Sequence, residues 1–240
     1  MPVKALSYAI IPARGGSKRI PRKNIKEFNG IPVIAYPIKT AQKSGLFDKI
    51  FVSTEDPGIA SIAAKYGAEV MPRSALNAND YATTSDVLKE VVEQWKELNL
   101  LPVRACCIYP VTPLLQIKFL EEGFKKLLTG KYHSVFPVVK FPSSIFRALT
   151  ADENGYIKFI FPENQNKRTQ DLPEAYYDAG QFYWFDVEKF IQAGQLITSE
   201  SGFIVLPEYF IQDVDNPTDW QMLEWKYRIL SSNGIIEKLF

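Results

Sequence analysis

The sequence predicts an α/β fold in which helices flank a mostly parallel sheet. Three short apolar runs, at residues 7–11, 49–54 and 69–71, alternate with two segments of helical spacing. Connections of ordinary length join them into a βαβαβ unit, which is typical of a parallel sheet with a ligand crevice at the carboxyl ends of its strands. The chain has 240 residues, of which 46% are hydrophobic, so we expect a single domain over residues 1–240.

Glycine and proline set the expected bounds of the elements. Gly45 and Gly67 follow the first two helical segments as C-terminal caps, and Asn216 caps a last helix that begins at Pro217. Pro137 predicts that its strand lies at an edge or is broken. We expect helices over residues 31–44, 57–66, 84–95 and 117–128 and after Pro217, and further strands over residues 105–109, 134–139, 181–185 and 202–206.

Residues from about 140 to 181 differ in character from the rest of the chain. They are rich in Pro, Asn, Gln and aromatic residues, with alternating pieces such as residues 156–161. The stretch is too short for a core of its own. We therefore expect an inserted excursion within the domain.

Composition narrows the function classes. The net charge is +1, which argues against a protein that coats nucleic acid, and no apolar stretch is long enough to span a membrane. We also expect no signal peptide at the N-terminus. Cys106 and Cys107 should point to opposite faces of a strand as buried thiols, which fits a reducing cytoplasm, and with one histidine they do not form a zinc site.

The loop after the first strand, residues 12–24, is the strongest local signal. From Arg14 to Lys23 it carries five basic side chains in ten positions and no acid. Gly15 and Gly16 let the backbone approach a ligand closely, and Ser17 adds a hydroxyl beside N–H groups that can face an anion. The position at a strand's carboxyl end favours a polyphosphate site. A solvated basic loop or a weak nucleic-acid patch is the alternative.

A pair of carboxylates stands near the C-terminus. In an extended segment Asp213 and Asp215 point to the same side, where they can share a divalent cation. Mg²⁺ prefers few protein carboxylates together with phosphate oxygens and water. The alternative is local: Asn216 caps the next helix and the two aspartates assist its dipole.

Two polar stretches, residues 168–171 and 175–181, would suit a hydroxyl-rich sugar, with Arg168 available to a carboxylate. An aromatic-rich contact between subunits is the alternative. His133 has no obvious partner and is interpreted as structural. Ser17 has no histidine partner, so nucleophilic serine catalysis is not supported.

The string Ile-Pro-Ala-Arg-Gly-Gly-Ser-Lys at residues 11–18, followed by Lys23-Asn24, resembles the signature of the acylneuraminate cytidylyltransferases. The resemblance runs over nearly the whole chain. It implies a Rossmann-like nucleotide-diphospho-sugar transferase fold and a homodimer whose contacts come from the excursion, which also reaches toward the partner's sugar site. It further implies Mg²⁺ as cofactor and transfer of CMP from CTP to a nine-carbon 2-keto sugar acid, with release of pyrophosphate.

The resemblance also implies roles for single residues. The expected nucleotide-binding residues are Ala13, Arg14, Gly15, Ser17, Lys18, Lys23, Asn24, Arg73, Thr84, Ser85 and Tyr109. The expected sugar-binding residues are Arg168, Gln170, Tyr176, Tyr177, Asp178 and Gln181. Arg14, Lys18, Lys23 and Asp213 are the expected catalytic residues, and Asp213 and Asp215 the expected metal ligands. Asp213 is the choice for a base if a protein base exists.

Two departures bear on the sugar. This chain has Tyr109 and Tyr177 where the synthetases for ordinary sialic acid carry Gln and Arg. The amino-acid sequence of residues 18–24 and 177–184 is most similar to that of the pseudaminic acid branch of the family. The legionaminic branch more often has glycines where Arg19 and Arg22 stand. Synthetases for legionaminic or neuraminic acid, a glycosyltransferase of related fold and a nucleic-acid-binding module stay open as alternatives.

Overall fold

The computed structural model of the protein describes residues 5–240. Residues 1–4, which belong to the N-terminal stretch where we expect no signal peptide, lie outside the described residues. The strands are β1 (Ser7–Pro12), β2 (Glu27–Phe28), β3 (Ile31–Pro32), β4 (Lys49–Thr54), β5 (Glu69–Pro72), β6 (Arg104–Ile108), β7 (Ser134–Lys140), β8 (Leu149–Ala151), β9 (Ile157–Phe159), β10 (Tyr176–Asp178), β11 (Phe182–Asp186) and β12 (Ser201–Val205). The helices are α1 (Ala35–Ser44), α2 (Pro57–Lys65), α3 (Thr84–Glu97), α4 (Ile117–Leu127), α5 (Val187–Ala193) and α6 (Pro217–Ser232).

One eight-stranded sheet organises the molecule. Its order is β10-β7-β11-β6-β1-β4-β5, with β12 paired to β7. Strands β5, β4, β1 and β6 are parallel, and so are β12 and β7, whereas β11 runs antiparallel to both β6 and β7. The mostly parallel sheet predicted from the opening βαβαβ pattern is confirmed.

Helices cover both faces of this sheet. Buried residues of α1, α2, α4 and α6 share one core with Cys106, and those of α3 and α5 share a second core with Cys107. The two thiols are buried and unpaired on opposite faces of β6, as alternation along a strand requires. Among the described residues no helix is both long enough and apolar enough to cross a membrane.

Several elements begin or end differently from the prediction. The helix expected from residue 31 begins at Ala35, because residues 31–32 pair with residues 27–28 in a small hairpin. Pro137 marks a break in a ladder: β11 pairs with residues 134–135 and β10 with residues 138–140 of the same strand. Since proline has no N–H, the interruption falls where that donor is missing.

The excursion contains a second small sheet of its own. Strands β8 and β9 form an antiparallel hairpin, and Leu149 and Ile157 on it are 52% and 68% exposed. Near the end of the stretch, β10 leaves the excursion and joins the main sheet beside β7. This register pairs Tyr177 with Val139 of β7.

Candidate active site

A cleft of about 750 Å³ lies at the carboxyl ends of β1 and β6. Five segments supply most of its lining: the loop after β1, the segment before α3, the turn after β6, residues 177–180 and the segment before α6. Helix α3 adds Thr84 and Val87, and α6 adds Lys226. Because the carboxyl ends of parallel strands meet at one edge, loops distant in sequence converge here. This is the crevice that the sequence predicts.

The loop after β1 is held by its own backbone and by the neighbouring strand. Ala13 donates its N–H to Ser53 O at 2.9 Å, and Asn24 Nδ2 donates to Arg14 O at 2.9 Å. A Cβ added at Gly15 would lie 2.6 Å from Asp56 Oδ2, so a side chain does not fit there without displacing that aspartate. The Gly15 N–H donates to Glu55 Oε1 at 2.6 Å, which ties the loop to the end of β4.

Two of the loop's cations share one carboxylate. Arg14 Nη1 lies 2.6 Å from Asp80 Oδ1, and Lys18 Nζ lies 2.5 Å from Asp80 Oδ2. Arg14 Nη1 also donates to Asn79 O at 3.0 Å. Hydrogen bonds from Lys18 and then Arg14 lower the pKa of the Asp80 carboxyl below its ordinary value. Asp80 was not among the predicted site residues, although it lies in the polar stretch before α3.

Lys23 connects this loop to the C-terminal segment. Its half-buried Nζ donates to Val214 O at 2.6 Å. Burial lowers the pKa of the Lys23 ammonium, while the charges of Asp215 and Asp213 act in the opposite direction. Arg19 adds a second link, with Nη2 at 2.7 Å from Asp215 Oδ1. The cationic loop and the carboxylate pair therefore face one another in the cleft.

The carboxylate pair has the alternation that the sequence predicts. Val214 is buried, and Asp213 and Asp215 on either side of it line the cleft. Asn216 caps α6 by accepting from the Asp219 N–H at 3.0 Å, and Asp219 Oδ2 accepts from the Asn216 N–H at 3.0 Å. The cap is thus complete without the two cleft aspartates.

The pair fits a divalent cation that brings other ligands with it. Asp213 Oδ1 accepts from the Val214 N–H at 2.8 Å, and Asp215 Oδ1 faces Arg19. Within residues 5–240 no hydrogen bond is formed to the Oδ2 atom of either aspartate, and no cluster of three or more acidic, histidine or cysteine side chains surrounds them. Two carboxylates completed by phosphate oxygens and water suit Mg²⁺.

Arg73, Thr84 and Tyr109 form another wall of the cleft. Arg73 is buried and donates from Nη2 to Ser53 O at 2.8 Å, and burial lowers the pKa of its guanidinium. Thr84 Oγ1 and Tyr109 Oη are hydrogen-bonded at 2.8 Å. Ser85 does not line the cleft: its Oγ accepts from the Leu196 N–H at 3.4 Å on the other side of α3.

Two of the six predicted sugar ligands, Tyr177 and Asp178, line the cleft. Tyr183 Oη donates to Asp178 Oδ2 at 2.7 Å and fixes that carboxylate. Burial, and to a lesser extent the charge of Glu208, raises the pKa of Tyr177. Glu208 and Lys226 also line this part of the cleft, and no sequence pattern had indicated either of them.

The other four predicted sugar ligands lie elsewhere. Gln181 is buried, and its Nε2 donates to Phe210 O at 2.7 Å. Tyr176 turns away from the cleft, donates to Glu174 Oε2 at 2.6 Å and packs against the Phe203 ring. The remaining two residues are exposed in the excursion and do not line the cleft of their own chain; they are Arg168 and Gln170.

A parallel α/β sheet whose carboxyl edge combines a cationic loop with paired carboxylates is typical of nucleotide-binding enzymes. A family model described as Cytidylyltransferase matches residues 8–202. The chain belongs to the cytidylyltransferase family.

Known proteins support this assignment in sequence and in fold. Pseudaminic acid cytidylyltransferase of Campylobacter jejuni subsp. jejuni serotype O:23/36 (strain 81-176) is 35% identical over 224 residues, which cover 93% of this chain and 97% of that protein. N-acylneuraminate cytidylyltransferase A of Danio rerio is 34% identical over 221 residues, which cover 90% of this chain and 49% of that protein.

A solved structure of CMP:2-keto-3-deoxy-manno-octonic acid synthetase complexed with CTP has a TM-score of 0.69 and 14% identity, and the match covers 95% of this chain and 99% of that one. At this identity the similarity concerns the fold. The predicted fold and the resemblance to the acylneuraminate cytidylyltransferases are confirmed, and the glycosyltransferase and nucleic-acid alternatives are not favoured.

We predict that Asp80→Asn strengthens the binding of inorganic pyrophosphate by about threefold to tenfold. The substitution removes the carboxylate that Arg14 and Lys18 share, and exposed ion pairs of this kind contribute only modestly, so the expected gain is small. Calorimetric titration with pyrophosphate measures the effect, and Asp171→Asn, which is exposed in the excursion, is the control. Unchanged or weaker binding would contradict a competition between Asp80 and phosphate.

Proposed function

We propose that the protein transfers CMP from CTP to the anomeric hydroxyl of a nine-carbon 2-keto sugar acid and releases pyrophosphate, and that the sugar is pseudaminic acid. The observation that carries the proposal is the hydrogen bond from Lys23 Nζ to Val214 O, which brings the cationic loop against Asp213 and Asp215. Cations for a triphosphate and carboxylates for a metal ion thereby share one cleft.

The triphosphate would lie along the loop after β1. Its negative charges repel an incoming oxygen nucleophile, and Arg14, Lys18 and Lys23 would reduce that repulsion and stabilise the departing pyrophosphate. Arg14 and Lys18 would exchange Asp80 for phosphate oxygens. Ser17 lines the cleft beside them. The Asn24 side chain holds the backbone at Arg14 by donating to the Arg14 carbonyl oxygen. The loop would bind the leaving group and orient the α-phosphate.

Asp213 and Asp215 would hold the Mg²⁺ ion. When bound, Mg²⁺ would supply positive charge at the phosphates and lower the pKa of a coordinated hydroxyl. Asp213 is exposed to the cleft, so it would accept the proton of the sugar hydroxyl if a protein group takes it. Arg19 would have to share Asp215 with the ion, since its guanidinium already pairs with that carboxylate.

The nucleoside would lie against the wall formed by Arg73, Thr84 and Tyr109. The buried guanidinium of Arg73 is fixed by Ser53, and the Thr84 hydroxyl is fixed by Tyr109. Such pre-positioned polar groups distinguish one base and ribose at little entropic cost. The Ala13 backbone would be near the same ligand, as the family resemblance implies.

Two features favour pseudaminic acid over the related sugars. The Campylobacter jejuni relative, which is named for pseudaminic acid, is 35% identical and matches along 93% of this chain. Tyr109 and Tyr177, the two positions that depart from the ordinary sialic acid pattern, both line the cleft. Legionaminic and N-acetylneuraminic acids are the alternative substrates.

The hairpin of the excursion supports a homodimer. Leu149 faces Phe159 and Ala151 faces Ile157 across the hairpin, so these four side chains share one apolar face. Leu149 and Ile157 are more than half exposed, which is a typical property of a surface that another subunit covers. In such a dimer Arg168 and Gln170 would approach the sugar end of the partner's cleft.

We expect pyrophosphate release from CTP when the enzyme is given pseudaminic acid and Mg²⁺, and slower release with legionaminic or N-acetylneuraminic acid. A coupled pyrophosphate assay with the three acids tests reaction and sugar together, and ATP and UTP in place of CTP are the nucleotide controls. If none of the three acids leads to release of pyrophosphate, the proposed reaction is contradicted. A faster rate with legionaminic or N-acetylneuraminic acid would contradict only the proposed identity of the sugar.

Lys23→Ala and Asp215→Ala should each lower kcat by at least about a hundredfold, because each removes a pre-positioned charge partner of the reacting phosphates. Lys65→Ala, an exposed lysine at the end of α2, is the control. The Asp215 variant should also need more Mg²⁺ for half-maximal rate. An unchanged Mg²⁺ titration would indicate that the carboxylate pair is only structural.

Ile157→Glu should convert a dimer into monomers, because it places a charge on the exposed apolar face of the hairpin. Light scattering after size-exclusion chromatography gives the mass directly. Lys158→Glu places the same charge on the opposite face and should leave the dimer intact. A wild-type protein that is monomeric at assay concentrations would contradict the proposed dimer.

A further inference from the structure

The cleft contains a lysine that the phosphate chemistry does not use. Six cationic side chains among residues 5–240 line it: Arg14, Lys18, Arg19, Lys23, Arg73 and Lys226. Four of them belong to the loop after β1, and Arg73 is fixed by Ser53 at the nucleoside wall. Lys226 comes from α6 and lies in the part of the cleft formed by Tyr177 and the segment before that helix.

The surroundings of Lys226 leave its charge incompletely satisfied. Its Nζ donates to Ile211 O at 2.6 Å, which uses one of the three N–H donors of an ammonium group. Burial lowers its pKa, and the charge of Glu208 only partly opposes that shift. Within the described part of the chain no carboxylate forms an ion pair with Lys226. A half-buried cation with two donors to spare can bind an anion from solution.

The position of Lys226 relative to Lys23 fits a sugar acid beside a nucleotide. Lys226 donates to Ile211 O and Lys23 donates to Val214 O, so one extended segment separates the two ammonium groups. Three residues of extended chain span at most about 10 Å, which limits the separation of the two backbone positions that hold the ammonium groups. In a 2-keto sugar acid the carboxylate is bonded to the carbon that carries the attacking hydroxyl. Lys226 can therefore reach the carboxylate while Lys23 faces the phosphates.

Neither of the other expected partners for that carboxylate is a cation in this cleft. Arg168 is exposed in the excursion and does not line the cleft of its own chain. Tyr177 lines the cleft but is uncharged, and burial raises the pKa of its hydroxyl, which keeps it neutral. The positive charge at the sugar end of this chain's cleft is on α6.

We propose that Lys226 binds the carboxylate of the sugar acid and so determines specificity for an acid over a neutral sugar. This assignment rests on the proposed function. A charge-assisted hydrogen bond from a partly buried ammonium is worth about tenfold to a hundredfold in binding. The effect concerns the sugar alone, because CTP lies against the loop after β1 and the wall formed by Arg73.

The experiment compares pseudaminic acid with its carboxamide in wild type, Lys226→Gln, Lys226→Arg and Arg228→Gln. Lys226→Gln should raise KM for the acid by about tenfold to a hundredfold, lower the preference for acid over carboxamide by a similar factor and leave KM for CTP within about twofold. Lys226→Arg should retain much of the preference. Arg228→Gln, an exposed change on the same helix, should match wild type.

Arg168→Gln is measured in the same series, because a partner's Arg168 is the competing ligand for the carboxylate. The assignment would be overturned if Arg168→Gln lost the preference for the acid while Lys226→Gln retained it. Unchanged kinetics in Lys226→Gln would also overturn it. Calorimetric binding of pseudaminic acid gives a readout without turnover. If the wild type binds pseudaminic acid and Lys226→Gln does not, the assignment is supported even if no pyrophosphate is released. If the wild type shows neither binding nor turnover, both proposals are contradicted.

Discussion

The hydrogen bond from Lys23 Nζ to Val214 O joins two parts of the chain that are 191 positions apart. One part is the loop that leaves the central strand, and the other is the segment that precedes the last helix. The ammonium is half-buried, and the charges of Asp215 and Asp213 compensate part of its lost hydration. This contact, together with the ion pair between Arg19 and Asp215, brings the cationic loop against the carboxylate pair. The two parts therefore form facing walls of one cleft.

Three other cations of the loop after β1 are paired by carboxylates of the chain itself. Asp80 pairs with Arg14 and Lys18, and Asp215 pairs with Arg19. A polyanion that enters must replace these carboxylates, so a single negative charge gains little, whereas a triphosphate can satisfy several cations at once. The pairing thus disfavours small anions and favours a multiply charged ligand. The same pairing stabilises the arrangement of the loop before any ligand binds.

The sequence predicted the sheet and the loop well because both depend on local rules. Apolar runs, Gly15-Gly16 and the Asn216 cap each specify geometry within a few residues. The sequence did not distinguish cleft-lining residues from others where neighbouring side chains point in different directions. Tyr176 and Tyr177 are adjacent in β10, so only one of them can face the cleft, and Thr84 and Ser85 are separated by about 100° around α3. Composition alone does not say which neighbour faces inward; that depends on long-range register.

Charge placement separates the two halves of the cleft. The part of the cleft proposed for the phosphates takes its cations from a single glycine-containing loop, which makes it visible in the sequence as one motif. The part proposed for the sugar combines Tyr177 from β10, Glu208 from the segment before α6 and Lys226 from the helix itself. Three elements that meet only in the folded chain leave no local pattern. Tyr177 supplies no positive charge, and its neighbour Asp178 is a carboxylate, so a cation that faces the proposed acidic sugar has to come from another element; Lys226 of α6 lines the cleft and can supply it. Under this proposal, substrate choice can change through α6 and β10 while the loop after β1 keeps its geometry.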